Sequence, residues 1–367
     1  MTKPVSEKIA LVSSSLEAVA TLRHDLIAYL TKRGHRILCI TPPGPGRFSL
    51  ILRNLGAQHR VIEPTPPGMR ILSDWQMIST LAEHFNDWQP NIVLSFGIRP
   101  LTLAAIAARR ANVRRVVSVL NGLPSDGVES VGRGRFAEAI RASDALVFHN
   151  RDDLSTLTRL EIVPKNLERV IVPGAGVDLK SFAAKPMPSH ANGLSYLMLA
   201  RLERSRGVLE YKRAAAKLKA RWPNATFRFA GPESTAPDAV PASVLGEDGA
   251  VEHLGHLEDV RPALAACHVF VYPSYGEGCP RAALEALATG RPVVTTRAPG
   301  CADLIDETVS GCLAPPADAE ALAAAMETYL RNPELLATSS RAARLKAERR
   351  FNARDVNAAL ARVLGVS

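Results

Sequence analysis

The chain has 367 residues, 47% of them apolar, and a formal net charge of +9, so it is long enough for two domains with a hydrophobic core each. It lacks a run of about 18 apolar residues, so we expect no membrane-spanning helix, and the opening M-T-K-P-V-S-E-K lacks the apolar region of a secretory signal. The five cysteines are scattered without a C-x-x-C pair, which argues against a disulfide framework or a zinc site and favours a reducing cytoplasm.

The positive charge lies mainly in the first half of the chain. Up to Lys185 there are 24 Lys and Arg against 16 Asp and Glu, whereas the remainder has 21 against 20. Such a surface is typical of proteins that bind nucleic acid or an anionic membrane leaflet, and it also serves solubility alone. No basic stripe is interleaved with aromatic residues, so we expect no nucleic-acid partner, while an anionic membrane surface stays open.

Short apolar strands alternate with amphipathic helices through the first half. Strands are predicted at residues 9–12, 36–41, 60–62, 92–96, 116–120, 145–148 and 170–172. Helices are predicted at residues 19–33, 75–85, 101–110 and 134–140. This alternation predicts a parallel, doubly wound sheet, whose ligands bind at the carboxyl ends of the strands.

A second α/β domain is predicted after a linker rich in Pro, Ala, Ser and Asn at residues 183–193, with the boundary near Pro186. Its strands are expected at residues 197–200, 227–231, 268–272 and 293–295. Its helices are expected up to residue 218, at 280–290, at 318–331 and at 351–364.

One stretch of this second domain carries a candidate site. Residues 275–294 read Y-G-E-G-C-P-R-A-A-L-E-A-L-A-T-G-R-P-V-V, with Pro280 expected at the first helical position and Gly290 at the helix end. Glu277 precedes the helix and Glu285 lies about one turn inside it, so both can line the mouth above its N-terminus, where free N–H groups suit a phosphate. The pattern predicts a pocket for a sugar joined to a diphosphate, with two solvated carboxylates as the plainer interpretation.

This stretch resembles the E-x7-E signature region of the retaining glycosyltransferases of family 4. The resemblance implies the GT-B fold, in which two Rossmann-like doubly wound domains face a cleft. It implies an acceptor-binding domain at residues 1–185, a nucleotide-sugar domain at 186–350 and a C-terminal helix at 351–367 that crosses back to the first domain. By the same resemblance, Glu277 contacts the donor sugar and Glu285 contacts the nucleotide ribose.

A second motif of the family follows the first strand of the second domain. The sequence A-R-L-E-R-S-R-G places Arg201 where the family has an arginine and Arg206 where it has a lysine, the pair that holds the donor diphosphate. Arginine keeps the charge and binds phosphate bidentately, so we expect both to act with Glu277 in catalysis. The remaining donor-binding residues that the resemblance implies are Gly278, Cys279, Pro280, Arg281, Gly231 and Leu257.

Three segments of the first domain are similar to a subgroup that extends saccharides on a polyprenyl diphosphate at the cytoplasmic membrane face. They read L-R-H-D-L-I, V-L-N-G-L-P and V-F-H-N-R-D-D-L. The acceptor-side residues that follow from this resemblance are Arg23, Asn121, Gly122, His149 and Asn150. A structural role for His149 and a solvated Arg23 stay open, and Asp152 and Asp153 are expected to cap the next helix. The loop after the first strand reads S-S-S and lacks the glycines that many members place near the donor phosphates.

The resemblance implies transfer from a nucleotide sugar to a hydroxyl of a lipid-linked saccharide, with retained anomeric configuration, no metal and no other cofactor. We expect a UDP-hexose or UDP-N-acetylhexosamine donor, with GDP-mannose and lipopolysaccharide or exopolysaccharide assembly as the alternative. We expect a cytoplasmic protein, peripheral at the inner face of the plasma membrane. Three other functions stay open: a nucleotide-sugar epimerase, a phosphorylase with a pyridoxal lysine, and a non-catalytic sugar-binding protein.

Overall fold

The computed structural model describes residues 6–63, 70–123 and 132–366, apart from the side chains of residues 70–73. The first five residues, which carry part of the expectation about a secretory signal, lie outside the described residues, as does Pro124 of the N-G-L-P segment. The chain divides into two compact units, Met1–Ala175 with Arg354–Ser367, and Gly176–Ala353. None of the helices in the described ranges is both long and apolar enough to span a bilayer.

The first unit is built on a seven-stranded parallel sheet in the order β3-β2-β1-β4-β5-β6-β7. The strand order reverses between β1 and β4, which creates the switch point beside which ligands of such sheets bind. The strands are β1 Lys8–Ser13, β2 Arg36–Thr41, β3 Gln58–Val61, β4 Ile92–Phe96, β5 Arg115–Leu120, β6 Ala145–Phe148 and β7 Glu168–Ile171.

Helices cover both faces of this sheet, so the strands read as nearly continuous apolar runs. In β1, Ala10 and Val12 enter one core, whereas Ile9 and Leu11 enter the other. The helices are α1 Leu16–Leu22, α2 His24–Lys32, α3 Gly46–Asn54, α4 Arg70–Trp88, α5 Ile98–Arg110, α6 Arg133–Ala142 and α7 Arg151–Arg159.

The second unit has a six-stranded parallel sheet in the order β10-β9-β8-β11-β12-β13. Its strands are β8 Ser195–Leu199, β9 Thr226–Ala230, β10 Glu252–His253, β11 Val269–Tyr272, β12 Val293–Thr296 and β13 Gly311–Ala314. Its helices are α8 Val208–Arg221, α9 Ser243–Gly246, α10 Arg261–Ala266, α11 Arg281–Thr289, α12 Ala319–Arg331 and α13 Leu335–Arg350. The predicted class, two doubly wound α/β domains, is confirmed.

The last helix, α14 Ala353–Leu364, belongs to the first unit from Arg354 onward. Its buried Val356 and Leu360 join the core that contains Ile9 and Leu11 of β1. The second unit starts at Gly176, and the Val177 N–H donates to the Phe351 carbonyl oxygen at the end of α13 (2.7 Å).

The predicted helix at residues 19–33 is two helices, α1 and α2, which meet at Arg23. Arg23 has φ −111° and ψ 9°, so it leaves the helical region. Its side chain is buried, with the guanidinium carbon 4.0 Å from the centre of the Phe96 ring. The expectation of one helix was wrong because a buried contact of one side chain outweighs local helix propensity.

Two helices, α3 and α13, were not predicted from the sequence. The buried positions of α3 are only Phe48 and Leu52, and α3 follows the breaker sequence P-P-G-P. The helix α13 buries Ala343 and Ala347 together with Leu336 and Ser339. Small or polar residues on the buried face of α13 give little helical periodicity in hydrophobicity. The helix α3 is short and directly follows residues that break helices, which hides its start in the sequence.

Candidate active site

The candidate site of the second unit begins where β11 ends against Gly207. Gly207 has φ +76°, and a Cβ built there would lie 2.1 Å from the Pro273 carbonyl oxygen. Only glycine fits this conformation and this approach. The close packing sets the turn before α8 beside the loop that leads to α11.

The two arginines that are predicted to bind phosphate, Arg201 and Arg206, both contact the buried carboxylate of Glu203. Glu203 has a side chain only 4% exposed, and its Oε1 lies 3.2 Å from Nε of Arg201. Its Oε2 accepts from Nε of Arg206 at 3.1 Å. Ser234 Oγ donates to Oε1 at 2.7 Å. One carboxylate therefore orients two guanidinium groups.

The same network reaches Glu277. Arg206 Nη1 forms an ion pair with Glu277 Oε1, and the Tyr272 hydroxyl donates to that oxygen at 2.9 Å. Burial raises the pKa of Tyr272 to about 12, while Arg206 acts in the opposite direction. Tyr272 therefore stays a hydrogen-bond donor at neutral pH. Glu203 thus joins Arg201 to Arg206, and Arg206 connects this pair to Glu277.

The backbone around Glu277 is held by the loop after β12. The Glu277 N–H donates to the Pro299 carbonyl oxygen at 3.0 Å. Gly300 has φ +71°, and a Cβ there would lie 1.9 Å from the Glu277 carbonyl oxygen and 2.6 Å from that of Gly278. This contact requires glycine at position 300 and places the Glu277 loop before α11.

The helix α11 begins at Arg281, with Pro280 as its N-cap, so the expectation of Pro280 as first helical residue was wrong by one position. Pro280 has ψ 115°, an extended value that precedes the helix. Gly290 ends the helix in the left-handed conformation with φ +84°, as predicted.

Glu285 lies within the first turns of α11 in an ion pair of its own. Its side chain is 10% exposed, and Arg281 Nε donates to its Oε1 at 2.7 Å. Burial raises the pKa of Glu285, while the Arg281 guanidinium opposes that shift. The plainer interpretation of Glu285 as a solvated helix residue was wrong, because the carboxylate is buried and oriented by its neighbour.

Three other predicted donor-side residues lie at strand ends and loop turns. A Cβ at Gly231 would lie 1.6 Å from the Ala200 carbonyl oxygen, so the ends of β8 and β9 approach closely there. Leu257 packs partly buried against an apolar core of this unit. Burial raises the pKa of the Cys279 thiol to about 12, so Cys279 contributes backbone and shape rather than a thiolate.

In the first unit, Arg23 and Asn121 meet at the carboxyl ends of the strands. Arg23 is 6% exposed, and its Nη2 donates to Asn121 Oδ1 at 3.2 Å. Asn121 directly follows β5 and Phe96 ends β4, so both flank the guanidinium. The interpretation of Arg23 as a solvated helix residue was wrong.

His149 and Asn150 follow β6. Asn150 caps α7 by accepting from the Asp153 N–H at 2.8 Å, so the expected caps Asp152 and Asp153 were wrong and lie in the first turn. The Asn150 amide also donates to Asp153 Oδ2 at 2.8 Å. Burial lowers the pKa of His149 to about 3, with Arg23 acting in the same direction. His149 is therefore neutral at physiological pH and a weak base, which favours a structural role.

The sequence-based prediction missed two residues of the network, Glu203 and Tyr272. The only signal for Glu203 was its place between two arginines in A-R-L-E-R-S-R. Tyr272 carried no signal beyond its position at the end of an apolar strand. In the described ranges, no group of three or more His, Cys, Asp or Glu side chains is arranged to hold a metal ion.

Comparisons with known proteins agree in both halves of the chain. Residues 194–332 match the model "Glycosyl transferases group 1", and residues 19–180 match "Glycosyltransferase Family 4". The structure resembles that of Anabaena Alr3699/HepE in complex with UDP and glucose, with a TM-score of 0.78 and 19% identity, over 98% of this chain and 100% of that chain.

Two proteins of related sequence are glycosyltransferases by name. An N,N'-diacetylbacillosaminyl-diphospho-undecaprenol alpha-1,3-N-acetylgalactosaminyltransferase of Campylobacter jejuni is 23% identical over 348 residues, 89% of this chain and 90% of that protein. The amylovoran biosynthesis glycosyltransferase AmsK of Erwinia amylovora is 29% identical over 206 residues, 54% of this chain and 51% of that protein.

Fold and sequence together define a glycosyltransferase with the GT-B fold. The first half of the chain matches the family 4 model and the second half matches the group 1 model, and both are models of glycosyltransferases.

Proposed function

We propose that the protein is a retaining glycosyltransferase that moves a hexose or N-acetylhexosamine from a UDP-sugar to a hydroxyl of a lipid-linked saccharide. The reaction would serve the synthesis of a cell-surface polysaccharide or glycan. One observation carries the proposal: Arg201 and Arg206 share the buried carboxylate of Glu203, and Arg206 also pairs with Glu277 before the start of α11.

Both guanidinium groups have the chemistry that a departing diphosphate requires. Guanidinium binds phosphate oxygens with two parallel hydrogen bonds, and the free N–H groups at the start of α11 favour the same anion. Removing one preorganised donor of this kind typically lowers kcat by about 10²–10³-fold. Arg201, whose side chain is 55% exposed, and Arg206, 20% exposed, would therefore stabilise the leaving oxygen.

The two carboxylates are suited to hydroxyl groups of the donor. Glu277 shares Arg206 with Glu203, and a bound diphosphate would compete with Glu277 for that guanidinium. Glu277 would then turn toward the sugar, still oriented by the Tyr272 hydroxyl. Glu285, held by Arg281, would accept hydrogen bonds from the ribose.

The transfer would proceed on one face of the sugar. The bond between the anomeric carbon and the diphosphate oxygen breaks, and the acceptor oxygen bonds to that carbon from the same side. The acceptor proton passes to the leaving phosphate, so no carboxylate nucleophile and no metal is required. The anomeric configuration of the product, read by NMR, and activity in the presence of EDTA test this mechanism.

The acceptor would be bound by the first unit. Arg23 offers a buried cation held between Phe96 and Asn121 at the carboxyl ends of the strands. The name of the Campylobacter relative gives a saccharide on diphospho-undecaprenol as its acceptor. We therefore place this protein in the cytoplasm at an anionic inner membrane face, with a lipid-linked saccharide as its second substrate.

A thermal-shift panel of UDP, GDP and ADP, followed by a transfer assay with lipid extracts, tests the function. Stabilisation by UDP and radiolabel transfer from a UDP-sugar into the lipid fraction are expected. Preferential stabilisation by GDP would redirect the assay to GDP-mannose. Indifference to all three nucleotides would contradict the proposal.

A further inference from the structure

We infer that Glu203 is a positioning residue for the transfer: its carboxylate holds the guanidinium groups of Arg201 and Arg206 in the orientation that binds the donor diphosphate. The inference rests on the proposed function. It adds a third residue to the phosphate-binding pair, one that acts through the arginines and does not touch the substrate.

The geometry places Glu203 at the centre of the pair. Its two carboxylate oxygens serve different partners, Oε1 for Arg201 at 3.2 Å and Oε2 for Arg206 at 3.1 Å. Burying a carboxylate is costly unless charged partners and hydrogen bonds compensate for the lost water, and here two guanidinium groups and the Ser234 hydroxyl do so. The contacts that compensate for the burial of the Glu203 carboxylate are therefore the same contacts that orient the two guanidinium groups.

The two arginines depend on this carboxylate to different degrees. Arg206 also contacts Tyr272 at 3.4 Å and pairs with Glu277, so it has further partners. Arg201 is more than half exposed, and Glu203 is the partner that the structure shows for its Nε. A long exposed side chain has many rotamers, so loss of the carboxylate would release Arg201 first.

The backbone of this turn is held independently of the Glu203 side chain. The Glu203 N–H donates to the Arg201 carbonyl at 2.8 Å, and the Arg206 N–H donates to the Glu203 carbonyl at 3.1 Å. The Ser205 N–H donates to Asp238 Oδ2 at 2.9 Å. A change of the carboxylate to an amide should therefore leave the turn in place.

The Glu203 carboxylate could act by neutralising the charge of the arginines or by orienting them, and these two roles predict opposite results for Glu203→Gln. If Glu203 only neutralises the arginines, its loss leaves a more positive site that binds the diphosphate more tightly. If Glu203 positions them, its loss weakens recognition of the second phosphate and slows transfer. The largely exposed position of Arg201 lets solvent screen the charge effect, so we expect positioning to prevail.

The experiment compares Glu203→Gln with wild type in kcat and in the ratio of Kd for UDP to Kd for UMP, measured by calorimetry. The ratio cancels any general loss of nucleotide binding. We expect kcat to fall about tenfold or more and the ratio to rise about threefold. Glu203→Asp is too short to reach both arginines and should fall between. The matched control is Glu252→Gln, an exposed carboxylate 2.9 Å from Arg228 in the same unit, which should change neither readout.

If Glu203→Gln fails to fold, Ser234→Ala removes one hydrogen bond from the carboxylate and keeps its charge, and should raise the same ratio by a smaller factor. A kcat of Glu203→Gln within about twofold of wild type, or a ratio below that of wild type, overturns the inference. If wild type is active and Glu203→Gln matches it in both readouts, the inference is wrong and the proposed function stands. A wild type that binds none of UDP, GDP or ADP overturns the proposed function and the inference with it.

Discussion

The hydroxyl of Tyr272 donates a hydrogen bond of 2.9 Å to Oε1 of Glu277, so the end of strand β11 orients the carboxylate that is predicted to contact the donor sugar. Burial keeps this hydroxyl protonated by raising the pKa of Tyr272 to about 12. The orientation of Glu277 therefore depends on a neutral donor as well as on its ion pair with Arg206.

Tyr272→Phe removes that hydrogen bond without changing the shape of the core. A neutral hydrogen bond contributes about 1 kcal/mol, so we expect kcat to fall about threefold to tenfold while KM for the donor changes little. Steady-state kinetics with the purified protein measure both constants. The variant Phe270→Tyr makes the reverse change in the same strand, and it shows how well the core tolerates a change of one hydroxyl group. An unchanged kcat in Tyr272→Phe would show that the hydroxyl does not orient Glu277.

Glu277→Ala and Arg201→Ala should lower kcat by about 10²-fold or more each, because both are predicted to act on the reacting sugar diphosphate. Both side chains are partly exposed, with Glu277 at 19%, so the melting temperature should shift little. Transfer assays and thermal unfolding are measured on the same preparations. The control Arg297→Ala removes an exposed guanidinium that pairs with Glu307. Near-normal transfer by either variant would contradict its assignment.

Arg23→Gln should raise KM for the lipid-linked acceptor at least about tenfold and leave the affinity for UDP unchanged. The reason is that Arg23 lies in the first unit, at strand ends that carry no predicted donor contact. The matched control is Arg47→Gln, which removes a second guanidinium from above a phenylalanine ring, Phe48, at 4.9 Å. An equal effect of both variants on KM would indicate a general effect of surface charge, and a selective loss of UDP binding would contradict the acceptor role.

His149 should make the first unit less stable in mild acid. Its pKa is lowered to about 3, below the ordinary value of 6.5 that applies in the unfolded chain. Between these values the unfolded chain binds a proton that the folded chain does not, so the free energy of unfolding decreases as pH falls. The slope approaches about 1.4 kcal/mol per pH unit.

Between about pH 7 and pH 5, the free energy of unfolding of wild type should therefore decrease by about 2 kcal/mol more than that of His149→Gln. Denaturant unfolding at both pH values measures the difference. His24→Gln, at an exposed histidine beside Asp25, is the control and should follow wild type. An identical pH dependence in wild type and His149→Gln would show that His149 titrates normally in the folded chain.

The fold class and the order of the motifs along the chain could be predicted from the amino-acid sequence. Buried parallel strands read as continuous apolar runs, and β4 and β6 were predicted with their observed bounds because both faces of these strands are covered. The Gly290 helix end followed from glycine's freedom to adopt positive φ. These features depend on neighbours along the chain, so local patterns contain them.

Which distant side chains come into contact could not be predicted, because it depends on how the folded segments pack. The break at Arg23 results from contacts with Asn121 and Phe96, which lie far away in the sequence. The cap at Asn150 and the ion pair of Glu285 join residues three and four positions apart, so these two features are local and the sequence-based prediction missed them for lack of a clear pattern. The helix α13 depends on a buried face of small residues that has no hydrophobic period. Glu203 and Tyr272 approach Arg206 and Glu277 because β8 and β11 are neighbours in the sheet. Strand order is set by packing between segments far apart in the chain, and no local pattern of residues encodes it.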